Sequence, residues 1–162
     1  MFSEKIKIVP VANNEALDPA TAYTDGINMA NFHRATFILQ FHTLGGADTH
    51  VWVYSGASEG SYTSTVPYRY AFGGATIKTA NCDKLAAWTA ADGATALHIT
   101  NATYSGYMLI IEVDASDMDV ANQEEWLSIG FLDTDTGCTG NVTVVALLSP
   151  RYTSNRSASA LA

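Results

Sequence analysis

The chain's most catalytic-looking pattern is Gly56-Ala57-Ser58-Glu59-Gly60. A serine nucleophile set between glycines needs a strand before it and a helix directly after it. The tight turn exposes the hydroxyl, and the helix start helps to form the oxyanion hole. His50 to Tyr54 is strand-forming sequence. Ser61-Tyr62-Thr63-Ser64-Thr65-Val66-Pro67 is β-prone and ends in proline, so the helix is missing. Outside its structural context the motif reads as a flexible loop tip.

The remaining candidates fail on geometry or on ligand number. His42 and His50 flank an expected hairpin loop and, with Asp48, would offer three metal ligands. A closed structural zinc site takes four, and the fourth would have to be Cys82 or His98. Histidines on a half-buried sheet face are the expected reading. Asp114-Ala115-Ser116-Asp117-Met118-Asp119 and Asp133-Thr134-Asp135-Thr136-Gly137 both carry hard oxygen ligands. The first lacks the glycine of a calcium loop and the second its bidentate glutamate. The second reads as a hairpin turn, where Asp bonds its own backbone and Gly supplies positive φ. Glu124 and Glu125 are adjacent, so on an extended segment they point to opposite sides. A glycosidase pair must face across one bond. Cys82 and Cys138 lie far apart and read as unbridged thiols that pack as small apolar groups. The triplets starting at Asn101, Asn141 and Asn155 match the glycosylation pattern by chance in a Thr-rich and Asn-rich chain. No catalytic residue, metal or cofactor is expected, and the chain does not read as an enzyme.

Exposed aromatics are the other chemical resource. Tyr62, Tyr68, Tyr70, Tyr104 and Tyr107 fall near expected loops or strand ends. Tyrosine suits both interfaces and sugar sites because a large apolar face carries a polar tip; it also fills cores.

The elements that must position these groups are almost all strands, because the apolar period is two. Lys5 to Val11 alternates, with Ile6 and Ile8 on one face and Lys5 and Lys7 on the other. Asn13 to Asn31 is irregular. Thr36 to His42 and His50 to Tyr54 are expected to pair as a hairpin across Gly45-Gly46. Gly56 to Ser64 is a polar loop, Tyr68 to Phe72 a short strand, and Ala75 to Thr79 a further strand. Lys84 to Ala91 is the one helix candidate, with Asp83 as N-cap and Gly93 beyond its end. Strands resume at Ala96 to Thr100, Tyr107 to Val113, Trp126 to Leu132 and Asn141 to Leu148, and an acidic loop with one helical turn spans Asp114 to Glu125. Eight or nine short strands with turn signals between them predict an all-β fold: a two-sheet sandwich or jelly roll with one short helix and extended terminal arms. The expected organisation is an N-terminal arm or strand over 1–12, a β-sandwich domain over 13–150, and a Ser/Ala-rich C-terminal tail over 151–162 that is either disordered or laid along a partner.

The 162-residue length fits one domain with its own core. Hydrophobic residues make up 48% and charged residues 15%, so part of the surface is expected to be covered in an assembly. The formal net charge of −8, with eight thinly spread Lys and Arg, argues against nucleic-acid binding. The longest apolar runs are strand-sized, well short of the roughly 20 residues of a spanning helix, and no apolar stretch follows the first charges as in a signal peptide.

The run Tyr107-Met108-Leu109-Ile110-Ile111-Glu112-Val113-Asp114-Ala115-Ser116-Asp117-Met118-Asp119-Val120 resembles a segment of small virion structural proteins of tailed bacteriophages. Lys5-Ile6-Lys7-Ile8-Val9-Pro10, Asn31-Phe32-His33-Arg34-Ala35-Thr36-Phe37-Ile38-Leu39-Gln40 and Leu147-Leu148-Ser149-Pro150-Arg151-Tyr152 are similar to other parts of those proteins, in the same order. The resemblance implies a capsid decoration or cement protein: a β-sandwich, often trimeric, seated on the outer surface of the head through the major capsid protein. It offers no catalytic residues to carry over. With the two arms as the contact elements, Lys5, Lys7, Arg151, Tyr152 and Arg156 are the expected partner-binding residues. A tail or neck component, or a carbohydrate-binding adhesion module of the virion, is the alternative reading.

Overall fold

A computed structural model describes residues 5–17, 21–132, 137–152 and 159–161. Among these residues twelve strands form two antiparallel sheets packed face to face. Sheet 1 runs in the order β1 (Lys7–Ala16), β12 (Asn141–Pro150), β4 (Phe32–Phe41), β10 (Met108–Asp114), β7 (Tyr68–Phe72) and β8 (Thr89–Ala91). Sheet 2 is centred on β11 (Trp126–Leu132) and β5 (Thr49–Gly56). Along β11 lie β2 (Thr21–Tyr23) and β3 (Ile27–Asn28); along β5 lie β6 (Ser64–Thr65) and β9 (Leu97–Ile99). The architecture is the expected all-β sandwich.

Period-two alternation builds the core. Phe37, Leu39 and Phe41 of β4, Leu109 and Ile111 of β10, and Val142, Val144 and Leu148 of β12 point inward from sheet 1. Leu127, Ile129 and Phe131 of β11 with Val51 and Val53 of β5 meet them from sheet 2. All are essentially inaccessible to water, and burial of such side chains is worth about 1.5–3 kcal/mol each.

Several local expectations are corrected. The segments Thr36 to His42 and His50 to Tyr54 do not form a hairpin. β4 pairs with β12 and β10, β5 pairs with β11, and residues 42–48 carry the chain from one sheet to the other. This corner is closed by Asn101, whose side-chain amide donates to the carbonyls of Gly45, at 2.8 Å, and Ala47. No helix forms over Lys84 to Ala91. An alanine-rich stretch this short has little intrinsic helical stability, and the open edge of β7 offers hydrogen bonds instead. Ala86 N–H donates to the Phe72 carbonyl at 2.8 Å, Leu85 bridges Gly73, and Thr89–Ala91 becomes β8. Among the described residues the single α-helical turn is α1 (Asn101–Tyr104). Ala75 to Thr79 is a series of turns rather than a strand, and Asp114 to Glu125 holds two 3-10 turns, Ala115–Asp117 and Val120–Asn122.

The N-terminal segment is a strand of the sandwich itself. Residues 7–12 lie in β1, hydrogen-bonded to β12 as an edge strand with two irregularities. The phase of this strand places Val9 and Val11 inside and leaves Ile8 54% exposed on the outer face, with Lys7 on the inward phase. At the other end, residues 159–161 meet their own domain: Asn28 N–H donates to the Ala160 carbonyl at 2.9 Å, and Ala160 is buried, while residues 153–158 and 162 of the expected tail lie outside the described residues.

Candidate interaction surfaces

The catalytic candidates disperse in three dimensions. Ser58 sits in an exposed turn between β5 and β6, with no helix after it. His42 and His50 belong to different sheets. His42 Nε2 lies 3.1 Å from Thr143 Oγ1, whereas the His50 ring stacks on His98 at 4.8 Å and His98 Nε2 pairs with Asp48 at 3.1 Å. Among the described residues no group of three His, Cys, Asp or Glu side chains is placed to hold a metal. Asp114 and Asp119 cap the two 3-10 turns. The Asp114 carboxyl accepts from Ser116 N–H and Oγ–H at 3.0 and 2.8 Å and lies 3.6 Å from Arg34. Those hydrogen bonds, and after them the guanidinium, hold its pKa below the usual carboxylate value. Asp133 to Thr136 lie outside the described residues.

Glu124 and Glu125 diverge as adjacent residues should. Glu125 is exposed, while the Glu124 carboxylate is buried and accepts hydrogen bonds from Ser55 Oγ at 2.5 Å and Ser64 Oγ at 3.1 Å. It ties the loop before β11 to β5 and β6. The Asn101 amide is used at the sheet-switching corner, Cys138 is buried in the core, and Cys82 is half-buried.

What the fold builds are two unlike outer faces. On sheet 1 the register places Pro10, Val145, Ile38 and Ile110 side by side across four strands, and Ala71 of β7, next in the row, is buried. The adjoining row runs Ile8, Leu147, Thr36, Glu112 and Arg69. Trp88, 38% exposed, closes the far side, with the Arg69 guanidinium 5.2 Å from its ring centre. The result is an aliphatic band with charges along one margin.

On sheet 2 the outward positions carry an aromatic cluster among small and polar residues and the His50–His98 pair. Trp52 and Tyr54 alternate along β5 with ring centres 6.1 Å apart. Tyr23 of β2 stacks on Tyr62 at 3.7 Å, and Tyr54 meets both edge-on at 6.0 and 6.2 Å. Gly130 of β11 lies beneath them; a Cβ there would stand 2.7 Å from the Tyr54 ring and 3.0 Å from that of Tyr23. Trp126 and the Glu59 side chain flank Gly26 in the same way. Burial, and secondarily Tyr23, raises the phenol pKa of Tyr54 and of Tyr62; Asp25 and Glu59 add to the rise at Tyr62. The six strands of sheet 2 contain no Asp, Glu, Lys or Arg. Every described lysine and arginine (Lys5, Lys7, Arg34, Arg69, Lys78, Lys84 and Arg151) lies on a strand of sheet 1 or a segment bordering one.

The expected aromatic residues are divided by this geometry. Tyr62 joins the sheet 2 face. Tyr68 and Tyr70 line a cleft of about 460 Å³ at the flank of the sandwich, with Asp92 and Thr95. The Tyr68 hydroxyl is buried without a well-formed hydrogen bond, although the Leu97 backbone amide lies near enough to favour the phenolate slightly. Burial pushes its pKa up to about 12. Tyr104 stacks on Phe72 at 4.0 Å and meets Tyr107 edge-on. Sequence reasoning missed Tyr23, Trp52, Tyr54 and Trp126. The available signal was the His50-x-Trp52-x-Tyr54 alternation, with aromatic residues on the phase opposite Val51 and Val53.

Of the expected partner-binding residues, four gather at one end of sheet 1. Lys7 pairs with Leu148, so Lys5 and Arg151 extend the two strands at the same end. Arg151 is tied down, its backbone N–H donating to Asn31 O at 2.9 Å and its Nε–H to Phe32 O at 3.2 Å, while Tyr152 is 71% exposed. Arg156 lies outside the described residues. No protein-family model matches the chain, and no curated protein matches it.

Proposed function

We propose that the chain is a structural virion protein that decorates a bacteriophage capsid. It binds the lattice of the major capsid protein on the outer surface of the head and associates with its own copies as a homotrimer. The observation that carries this reading is the aliphatic band across the outer face of sheet 1. Covering apolar surface is worth roughly 25 cal/mol per Å², and a band continuous over four strands marks a packing face. The resemblance to phage virion proteins names the partner.

The edges favour packing by face over strand addition. Both edges of sheet 2 are pieced together from two- and three-residue strands, and β8 is equally short. β1 is long but carries Pro10, which has no N–H to donate, and two register shifts. Short, bulged and proline-bearing edges resist pairing with another chain. The basic end formed by Lys5, Lys7 and Arg151, with Tyr152 beside it, supplies a charged and aromatic rim to the packing face. No catalytic role is proposed.

The reading is tested by sedimentation of the protein alone and with empty phage heads. The expected result is a trimer that co-sediments with heads, with attachment weakened by Tyr152→Ala. A stable monomer that ignores heads overturns it, and binding to tails alone moves the protein to the tail.

A further inference from the structure

The geometry points to the outer face of sheet 2 as a binding site for an uncharged oligosaccharide. It is a separate site on the opposite side of the sandwich from the packing band, and it stands or falls independently of the capsid reading.

Three features select this ligand. The first is charge. With no Asp, Glu, Lys or Arg on any of its six strands, and carboxylates at its margin, the face gives an anionic ligand no counter-charge. An anionic partner docking there would lose hydration without compensation, whereas a neutral polyol loses far less. The second is the kind of surface. Trp52, Tyr54, Tyr62 and Trp126 present rings, and Leu132 is the only aliphatic side chain on an outward strand position. Aromatic rings have an electron-rich face, which packs against the C–H side of a pyranose, and the tyrosine tips bond its hydroxyls. A second copy of this chain would be better served by the aliphatic band on sheet 1. The third is preorganisation. The Tyr23–Tyr62 stack and the edge-on Tyr54 hold one another over Gly130, so few rotamers remain to be frozen on binding.

Polar specificity comes from the margin. Asp25 and Glu59 are exposed beside Tyr62, and the Glu59 chain also approaches Gly26 next to Trp126. Their carboxylates accept hydrogen bonds from sugar hydroxyls and repel acidic sugars.

The test is an array of neutral, sialylated and sulfated oligosaccharides, followed by tryptophan-fluorescence titration of the best neutral binder. Binding of neutral members and rejection of acidic ones is expected. Trp52→Ala should weaken binding about tenfold or more, as truncation of a central aromatic anchor does. Glu59→Gln, at an exposed position that does not threaten folding, should weaken it by roughly threefold, on the scale of one altered hydrogen bond. Co-sedimentation with heads should be unchanged in both variants. A blank array, equal capture of acidic and neutral glycans, or binding indifferent to both substitutions overturns the assignment. So does a change of oligomeric mass in Trp52→Ala, which would make the face a contact between copies.

Discussion

Sheet 1 and sheet 2 enclose the same core by different means. Sheet 1 is made of long ladders: β1, β12 and β4 each span ten residues and β10 seven, so backbone hydrogen bonds define it. Sheet 2 has only two strands of that order, and its margins are fragments. There, side chains take over work that the ladder does in sheet 1. Glu124 joins Ser55 to Ser64, Thr24 Oγ1 accepts from Ile129 N–H at 3.0 Å, and Asn101 closes the corner that leads into β5. The outer faces differ in parallel. A sheet held by its backbone can spend its outer positions on aliphatic side chains for packing. Sheet 2 instead carries rings that lock one another in place. One sandwich thus carries an aliphatic outer face on one side and an aromatic cluster on the other, the two faces to which we assign assembly and recognition.

The largest expected effect breaks the comparison from the sheet 1 side. Ile38 lies at the centre of the aliphatic band, so Ile38→Glu would bury an unpaired charge in any assembled contact. We expect loss of self-association and of head binding by roughly 100-fold or more in sedimentation, with glycan binding intact. Next is the polar pin of sheet 2. Glu124→Ala leaves the buried Ser55 hydroxyl and the half-buried Ser64 hydroxyl without their acceptor and should lower the unfolding free energy by about 2–3 kcal/mol in urea titrations. Glu124→Gln, which keeps an acceptor, should cost less. An equal loss from both would show that charge, rather than hydrogen bonding, holds the pin.

Gly130→Ala sharpens the contrast from the other face. Its methyl group would enter the space of the Tyr54 and Tyr23 rings, and overpacking of this kind costs about 1–3 kcal/mol. Glycan binding should fall while head binding stays, as read by fluorescence titration and co-sedimentation. The smallest effect concerns the flank between the sheets. Tyr68→Phe removes a buried hydroxyl that has no partner, so stability at pH 7 should be unchanged or higher by up to about 1 kcal/mol. The sign of its pH dependence follows from the raised pKa. The native state favours the neutral phenol, so its contribution is complete below the unfolded-state value of about 10. It declines as pH rises through about 12. Tyr68→Phe should therefore flatten the alkaline limb of a stability–pH curve, and an unchanged limb would place the titration elsewhere.

Much of this was legible along the chain. Tyr107 to Val113, Trp126 to Leu132 and Asn141 to Leu148 announce themselves as strands because a half-buried strand alternates locally, whatever its partner. The failure of the Ser58 motif was equally local, since the residues after it lack a helix. Lys84 to Ala91 misled because capping and composition were weighed without the open edge of β7, whose hydrogen bonds outweigh a marginal helix. The sheet 2 face was hidden for a related reason: Tyr23, Tyr54 and Tyr62 come from separate segments and meet only after β2 and β5 have both joined β11.

By itself, then, the sequence determined an all-β chain, its main strands, its aliphatic core and the charge poverty of its surface, all of which rest on neighbours within a few residues. Only the tertiary structure decided that β4 and β5 belong to opposite sheets, that Ile8 points outward, that residues 159–161 return to their own domain, and that one outer face is aliphatic and the other aromatic. Strand pairing joins residues remote in sequence, and a strand's alternation tells which side chains share a face without telling which face meets water.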